Sequence, residues 1–484
     1  MNIDKENNFS EWYQSVLSLA ELSDIRYNVK GCIVIRPWAA KTIKLMFEEY
    51  EKELEKNNHK PVIFPALIPK KNFDIEKEHV KGFSPEVFWV ERAGKEKLEE
   101  KLALRPTSET AMYQMFSLWI EGMVDLPLKV YQSCQVWRYE TKATKPFFRS
   151  REFYWIESHT AFATEQEAVE QVKQDMQMTE NVLFEKFKIP FIFFERPQWD
   201  KFPGAQKTFA ADTLMPDKKV LQLPSTHLLG QNFAKAFDVS YLDKNGKKEY
   251  VWQTCYGPAI SRIYGAMICI HGDERGIMMP FDFCPIQIVI IPIFSKEVLE
   301  QKIIQYSQAV YEIVKNLGFR VTLDQSQNTP GYKYNYWEVR GVPLRLEIGI
   351  REVEEGKVTL ALRDKKEKEQ KIMVAVEELK DILKKQAVEF DKRLQQRALE
   401  NFQKMQTQAS SIEELEQKIN KYGLIKIPFC SIEMEGEKCA KVLKEKYSLD
   451  VRGIKYLDDE KPIDKKCIVC SKEAKEFVFV AKQY

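Results

Sequence analysis

The chain has no run of 18 apolar residues, so nothing in it reads as a membrane-spanning helix. Neither sign of charge is in large excess, with 74 Lys and Arg against 72 Asp and Glu. A formal net charge of +2 gives no global field toward nucleic acid, so any such contact must come from a local patch. The N-terminal stretch MNIDKENNFSEWYQ lacks the apolar core of an export signal, which argues against secretion and for a cytoplasmic protein. Nine cysteines, an odd number without an export signal, are expected as reduced thiols. Histidine is scarce: His59, His79, His159, His227 and His271 are the whole set. What is present is substantial. With 44% hydrophobic and 12% aromatic residues, 484 residues can form true cores, and at about 150 residues per domain there is room for roughly three.

The densest chemistry lies between Val136 and Thr160, VWRYETKATKPFFRSREFYWIESHT. Arg138 and Glu140 are two apart, so on a strand they share a face. After a polar turn around Lys142 to Pro146, Phe153, Trp155, Glu157 and His159 alternate onto one face of a second strand. An antiparallel hairpin would gather a guanidinium, carboxylates, an indole and an imidazole on one surface. A guanidinium grips phosphate through a two-pronged fork that lysine cannot match, and a nearby carboxylate can accept from an amine. A salt-bridged surface hairpin would read the same way; company elsewhere in the chain decides.

In chain order, an amphipathic helix is expected from Ser10 to about Leu22. A longer helix follows, apolar at Ile43, Met46, Phe47 and Tyr50 and ended by Asn57-Asn58. VIFPALIP reads as a strand that Pro65 and Pro69 confine to an edge or an interface. In LALRPTSET, Thr107, Ser108 and Glu109 precede a helix to Glu121, where an ordinary N-cap is an equal reading. A helix is expected from Thr164 to about Phe187, then a hairpin around Pro216-Asp217 and a turn holding His227, a core group more readily than a ligand. QTCYGPAISRIYGAMICIHGDERGIMMP reads as strand, helix and strand. Arg262 falls beside that helix's apolar face, so it needs a phosphate or a carboxylate partner.

At Pro285 the pattern becomes α/β. PIQIVIIPI is a strand covered on both faces, with a helix from Lys296 to Leu317, the strand FRVTLD, a helix from Gly331, and the strands VPLRLEIG and KVTLALRD. The charged segment from Glu377 to Leu424 has helical propensity and a capping box at Ser411 to Glu414. It reads as a solvated helix face and linker rather than a partner site. In the tail, Cys467-x-x-Cys470 is a knuckle suited to thiolate ligation of zinc, with Cys430 and Cys439 as the second pair. Four unrelated thiols or a redox pair are the alternatives.

RPTSET, WRYE followed by PFFRSREFYWIESHTA, QLPSTHLLGQNF, and Arg262 with HGDERG, in that order, resemble prolyl-tRNA synthetase of the archaeal and eukaryotic type. The resemblance runs from about residue 10 to Tyr484. It implies an α+β class II catalytic domain over residues 1–284, an antiparallel sheet flanked by helices. An α/β anticodon-binding domain would follow over 285–390, then a helical linker with a small α/β zinc-binding-like domain over 391–484. It implies a homodimer whose interface includes the segment ending at Pro65.

Carried over residue by residue, Arg138 would clamp the α-phosphate of ATP and the proline carboxylate. Glu140 and Arg149 would hold the adenine end and the phosphates, and Arg262 the terminal phosphates. Gln222 and Ser225 fall near the nucleotide. Thr107 and Glu109 would accept from the secondary ammonium of L-proline, with Phe202, Trp155, Glu157, His159 and His227 around its ring. In WEVRGVPLR, Glu338 and Arg345 would read the anticodon loop of tRNA(Pro), since exposed base edges in single-stranded loops suit such groups. Tyr484 resembles a tail that folds back toward the active site. ATP would come with Mg²⁺, and zinc would be structural. No residue announces itself as an essential base.

Two departures from the family pattern stand out. The stretch from His159 to Arg262 is too short for the editing domain that some bacterial relatives carry there. The first cysteine pair is usually spaced by four, and here Glu435 stands where the second would fall, with Cys439 beyond it. The rival readings are another class II ligase, threonyl- or seryl-type, and a non-catalytic tRNA-binding paralogue. The first is disfavoured by the absence of a Cys/His/His set in the catalytic part, the second by the retention of Arg138, Glu140 and Arg262.

Overall fold

The computed structural model describes residues 3–79, 86–141, 143–294, 300–365 and 371–484. Helix α1 (Phe9–Leu19) buries Phe9, Trp12, Tyr13, Val16 and Leu17, one stripe at helical spacing. It stops short of the expected Leu22 because the chain turns at Glu21, whose φ is 54°. Helix α2 (Pro37–Lys56) starts on a proline whose missing N–H costs nothing there, and Asn58 at φ 65° closes it as expected. VIFPALIP is not one strand. Strand β1 (Lys60–Pro61) ends just before it, and within it only Leu67–Pro69 pairs as a strand, since prolines cannot donate to a ladder.

Helix α3 (Glu109–Trp119) leads to the expected hairpin, β2 (Leu128–Trp137) against β3 (Glu152–Phe162), antiparallel with Val136 opposite Phe153 and Gln132 opposite Glu157. Arg138 and Glu140 lie beyond the end of β2, not on it. The Glu140 amide turns back onto the Arg138 carbonyl at 2.8 Å, so the shared strand face expected for this pair does not exist. Lys142, in the expected turn, lies outside the described residues. Helix α4 (Glu165–Thr179) is capped by Thr164 and continues into a π-helical turn, Glu180–Phe184.

Strands β4 (Ile192–Glu195), β5 (Lys207–Leu214) and β6 (Val220–Gly230) follow, with the hairpin at Pro216-Asp217 where it was expected. His227 sits within β6 rather than in a turn, because the ladder with β5 runs on to Leu228. Strand β7 (Trp252–Gly257) and helix α5 (Ile260–His271) match the reading, but the strand expected after them does not form. Gly276, at φ 146°, lies so close to the Val339 backbone that a Cβ would stand 2.4 Å from it. The segment is tied to the next unit instead of a sheet.

That unit holds β8 (Ile288–Pro292), α6 (Glu300–Asn316), β9 (Val321–Leu323), α7 (Pro330–Val339), β10 (Leu344–Ile348), β11 (Lys357–Leu362) and β12 (Lys371–Ala375). The start expected for α6 at Lys296 lies outside the described residues. The sheet order is β9-β8-β10-β11-β12, parallel around β8 and antiparallel beyond β10. Strand β8 is buried throughout, as its unbroken apolar run requires.

Helix α8 (Leu379–Lys404) corrects the reading of its segment as a solvated linker. Leu383, Phe390, Leu394, Ala398 and Phe402 form a buried stripe, and a short strand β13 (Gln406–Gln408) follows inside the same segment. Ser411 accepts from the Glu414 amide, while the Glu414 carboxylate takes the amide of Ser410 rather than that of Ser411, so the expected box closes one residue early. The tail contributes β14 (Leu424–Phe429), α9 (Glu437–Tyr447), β15 (Asp450–Lys455) and β16 (Glu476–Ala481).

The three parts are not laid side by side. Strand β15 pairs with β4, which joins tail and catalytic strands into one mainly antiparallel 11-stranded sheet, ordered β13-β14-β16-β15-β4-β5-β6-β7-β3-β2-β1. No helix among the described residues is long and apolar enough to cross a membrane.

Candidate active site

Strands β2, β3, β5, β6 and β7 present a concave face, and α3 and α5 start at its rim. The expected alternation on β3 holds: Trp155, Glu157 and His159 all line a cavity of about 320 Å³, together with Thr107, Glu109, Arg138, Phe202 and His227. A larger cavity of about 1120 Å³ adjoins it, lined by Tyr13, Lys145, Phe148, Arg149 and Tyr484. Gln222 and Arg262 line both cavities, so these two residues mark the passage between them.

The floor of the smaller cavity is a buried polar network centred on Glu157. Its carboxylate accepts from the Ser108 amide at 3.0 Å, from Gln132 Nε2 at 2.8 Å and from the Ser108 hydroxyl, and it contacts His159 Nε2 at 3.3 Å. Tyr113 closes the chain on His159 Nδ1 at 3.0 Å. Burial opposes ionisation of Glu157, yet the hydrogen bond and charge of His159, with Ser108 and Gln132, hold its carboxyl below the usual range. Ser108 is thus not a side-chain N-cap for α3, although the pattern suggested one; its hydroxyl is spent on Glu157.

Glu109 behaves differently. It is 3% exposed, accepts from the Thr107 hydroxyl at 2.5 Å, and is pushed up from the ordinary carboxylate range by burial. His159 works against that shift and Glu157 adds to it. The opposite wall is His227, whose ring lies 4.6 Å from that of Phe202. Thr208 Oγ1 meets its Nδ1 at 2.9 Å and Ser225 Oγ its Nε2 at 3.1 Å, and burial drives its pKa down to about 3, so the ring is neutral. Ser225, expected near the nucleotide, therefore faces the smaller cavity.

Arg138 stands at the mouth, its Nε donating to the Pro106 carbonyl at 3.1 Å and its guanidinium 5.4 Å from the rings of both Phe153 and Trp155. Arg262 reaches the same region from α5, donating to the Gln222 carbonyl at 3.3 Å. Burial pushes its pKa down to about 10, and Arg138 and Arg149 add to that shift while Glu140 opposes it. Arg138 and Arg149 each repel Arg262, and an anion placed among the three guanidinium groups would relieve that repulsion. Glu140 itself lines neither cavity, although Arg138 and Arg262 both feel its charge.

The tail closes the larger cavity. The Tyr484 amide donates to the Val220 carbonyl at 3.2 Å, and its ring stacks on Phe148 at 5.2 Å and 15°.

Several of these residues escaped the sequence reading. Gln132 was legible in principle, since hairpin register puts it directly opposite Glu157. Ser108 reads only as a possible N-cap, and Tyr113 and Thr208 carry no pattern of their own.

Away from this site, Glu338 lies on α7 and accepts from Arg275 Nη1 at 2.8 Å, while Arg345 on β10 pairs with Glu347 at 2.9 Å and covers the Tyr334 ring at 4.1 Å. Both line one narrow crevice with Trp337 and Arg363.

The sulfurs of Cys430, Cys439, Cys467 and Cys470 lie within 4.8 Å of one another, and those of Cys430 and Cys439 are 3.7 Å apart. That is close to the ~3.8 Å edge of a tetrahedron with Zn–S bonds of about 2.3 Å, so the donor set fits a tetrahedral thiophilic metal. Helix α9 delivers Cys439 to the cluster and makes up for the wide spacing, whereas Glu435 is an exposed ion-pair partner of Lys475.

A large cavity with arginines and aromatics thus joins a smaller, polar-floored one on a mainly antiparallel sheet. Residues 88–271 match the tRNA synthetase class II core domain (G, H, P, S and T), 287–386 an anticodon binding domain, and 412–484 the prolyl-tRNA synthetase C-terminal domain. The proline--tRNA ligase of Thermofilum pendens is 49% identical over 100% of this chain and 99% of its own; that of Methanopyrus kandleri is 43% identical over 98% and 96%. The chain belongs to the proline--tRNA ligase family. Among solved structures, Giardia lamblia prolyl-tRNA synthetase in complex with prolyl-adenylate superposes with a TM-score of 0.95 at 34% identity, over 100% of this chain and 99% of that one. The Cryptosporidium parvum enzyme complexed with L-proline and AMP gives 0.92 at 32%, over 100% and 97%.

Proposed function

We propose that the chain ligates L-proline to tRNA(Pro) through a prolyl-adenylate. The observation that carries this is the pair of joined compartments. One is small and polar-floored, with Arg138 in its wall, the other is large and basic, and Gln222 and Arg262 stand where they meet. In this reading proline's secondary ammonium is held by Thr107 and Glu109, with its ring among Phe202, Trp155, His159 and His227. Glu157 stays ionised beneath it.

The proline carboxylate attacks the α-phosphorus of ATP in line, the P–O bond to the β-phosphate breaks, and pyrophosphate leaves. Negative charge grows on the equatorial oxygens, and Arg138 and Arg262, fixed beforehand, stabilise it without reorganising. Arg149 acts on the nucleotide from the larger compartment, Gln222 holds the passage, and Glu140, which lines neither compartment, has to turn inward to meet the adenine end. Mg²⁺ carried in with ATP would further neutralise the phosphates. A terminal tRNA hydroxyl then attacks the acyl carbon and AMP departs.

We take residues 1–284 as the catalytic unit, 285–390 as the anticodon-binding unit and 391–484 as the linker and zinc-binding unit. Glu338 and Arg345 read the anticodon from their shared crevice, which requires them to exchange Arg275 and Glu347 for base edges. Zinc occupies the four-cysteine cluster as a structural ion. A homodimer covers the edge of the sheet at β1, where Ile63 is 98% and Val124 94% exposed and Trp119 packs its ring 5.8 Å from Phe64. Its substrates, tRNA and ATP, are those of the translating compartment, and we assign it to the cytoplasm.

An amino-acid panel of ATP–pyrophosphate exchange tests the reading. Exchange should depend on proline far more than on threonine or serine, and tRNA binding without exchange for any amino acid would overturn it.

A further inference from the structure

One buried charged cluster has no part in the chemistry above. Asp212 on β5 is fully buried and is gripped from two sides. Arg196, just after β4, donates Nη1 to Oδ2 at 2.9 Å and Nη2 to Oδ1 at 2.6 Å. Arg452 on β15 donates Nε to Oδ2 at 2.7 Å and Nη2 to Oδ1 at 3.1 Å. The two arginines are 1% and 2% exposed and belong to different units of the chain. They are locked to each other as well, for Arg196 Nη1 also donates to the Arg452 carbonyl at 2.8 Å. Backbone geometry makes this approach possible: at Gly453, φ 118°, a Cβ would stand 1.9 Å from the Glu195 carbonyl oxygen, so only glycine lets β15 seat on β4.

The cluster points at the nucleotide passage. Arg196 Nη2 donates onward to Gln222 Oε1 at 3.0 Å, while the backbone carbonyl of the same glutamine receives Arg262. Asp212 and Gln222 are direct partners across β5 and β6, so these two side chains share one sheet face. A second arm runs from Arg452 Nη1 to Gln483 Oε1 at 2.6 Å, and Gln483 bridges Val220 on β6 next to the Tyr484 contact. Burying two guanidiniums and a carboxylate only to join two units is costly, and apolar side chains of similar volume would join them at least as well. What such side chains could not do is fix an amide at the active site.

We propose that Arg452 is a positioning residue for ATP: acting through Asp212 and Arg196, it sets the orientation of the Gln222 side-chain amide, so that the C-terminal unit completes the nucleotide site of the catalytic unit. The inference rests on the reading of Gln222 and Arg262 as nucleotide residues.

The test is a double-mutant cycle in the full-length chain between Arg452→Lys and Gln222→Ala, read by proline-dependent ATP–pyrophosphate exchange. Lysine keeps the charge but loses the fork. Arg452→Lys should raise the KM for ATP on the order of tenfold, the loss of about one charge-assisted hydrogen bond, and leave the KM for proline within about twofold. In the Gln222→Ala background the same substitution should add almost nothing. A merely structural joint predicts another pattern: a lower folded fraction or melting temperature, both KM values moving alike, and additive effects. Either that pattern or an unchanged ATP KM overturns the proposal.

If Arg452→Lys does not fold, Gln483→Ala releases one arm of Arg452 without unpairing Asp212, and the same cycle applies with a smaller rise in ATP KM. Arg262→Ala is the control for the underlying reading. If it leaves the ATP KM intact, the nucleotide assignment itself falls; if it raises the ATP KM while Arg452→Lys does not, only the coupling falls.

Discussion

Glu109→Gln separates function from stability, because the geometry around Glu109 makes opposite demands on the two. The side chain is 3% exposed, its hydroxyl partner Thr107 is 2.5 Å away, and burial holds its pKa above the ordinary carboxylate value. Glutamine keeps the shape, and its carbonyl can still accept from Thr107. What it loses is the charge that meets proline's ammonium. A charge-assisted hydrogen bond contributes roughly 1.5–3 kcal/mol, which translates to a proline dissociation constant weaker by about 10- to 150-fold. Calorimetric titration of proline reads this directly, and the KM for ATP should stay within about twofold.

The empty protein should respond in the other direction. A carboxyl whose folded pKa is raised binds its proton more tightly folded than unfolded, so its ionisation costs stability. That cost is absent below the ordinary glutamate value, grows as pH rises from there to the raised folded value, and is fully present above it. Glu109→Gln removes the cost, so without proline the variant should melt higher than the parent at pH 8, with the gap closing as the pH falls toward 4. Unchanged proline affinity, or a variant less stable than the parent at pH 8, would refute the argument.

Cys467→Ser should drop bound zinc from about one ion per chain to near zero by atomic emission and lower the melting temperature; a parent that purifies without zinc despite its presence during expression contradicts the metal assignment. Ile63→Asp places a charge in the exposed apolar edge beside β1 and should shift the chain from dimer to monomer in sedimentation, whereas a monomeric parent ends that reading. Arg345→Ala should weaken aminoacylation efficiency by about 5- to 150-fold, the 1–3 kcal/mol of one base contact, with ATP–pyrophosphate exchange untouched. If both fall together, Arg345 is a packing residue. Purified enzyme should not hydrolyse alanyl-tRNA(Pro). A small apolar difference discriminates by only about 1–3 kcal/mol, so alanine will be activated at a measurable rate, and rapid deacylation in cis would show an unsuspected hydrolytic site.

How much of this was legible in the residues depends on whether the signal was local. The β2–β3 hairpin and the face bearing Trp155, Glu157 and His159 follow from period-2 alternation, and Arg262 on an apolar helix follows from the cost of a buried charge. The readings that failed are those in which a distant part of the chain overrides a local tendency. WRYE has strand composition, but the ladder ends at Trp137 and Arg138 turns inward to the Pro106 carbonyl. HGDERGIMMP has a strand's apolar run, yet it is held against α7, where Gly276 meets Val339, and by Arg363 just after β11, which grips Asp273 at 2.6 Å. The Lys- and Glu-rich segment looks solvated by composition, and only the stripe from Leu383 to Phe402, read at helical spacing, betrays that α8 is seated on the body of the molecule.

The Asp212 cluster is the extreme case. Its members are separated by 16 residues on one side and 240 on the other, and nothing in the neighbourhood of Arg196 or Arg452 sets them apart from the many other basic residues of the chain. Each becomes meaningful only once β15 is paired with β4. That pairing depends on a glycine with a left-handed backbone, a requirement visible in three dimensions and silent in one. The groups proposed to bind substrate are therefore readable here from short motifs, because chemistry constrains their type and spacing. The groups that hold them in place are not, because any part of the chain that folds back far enough can supply them.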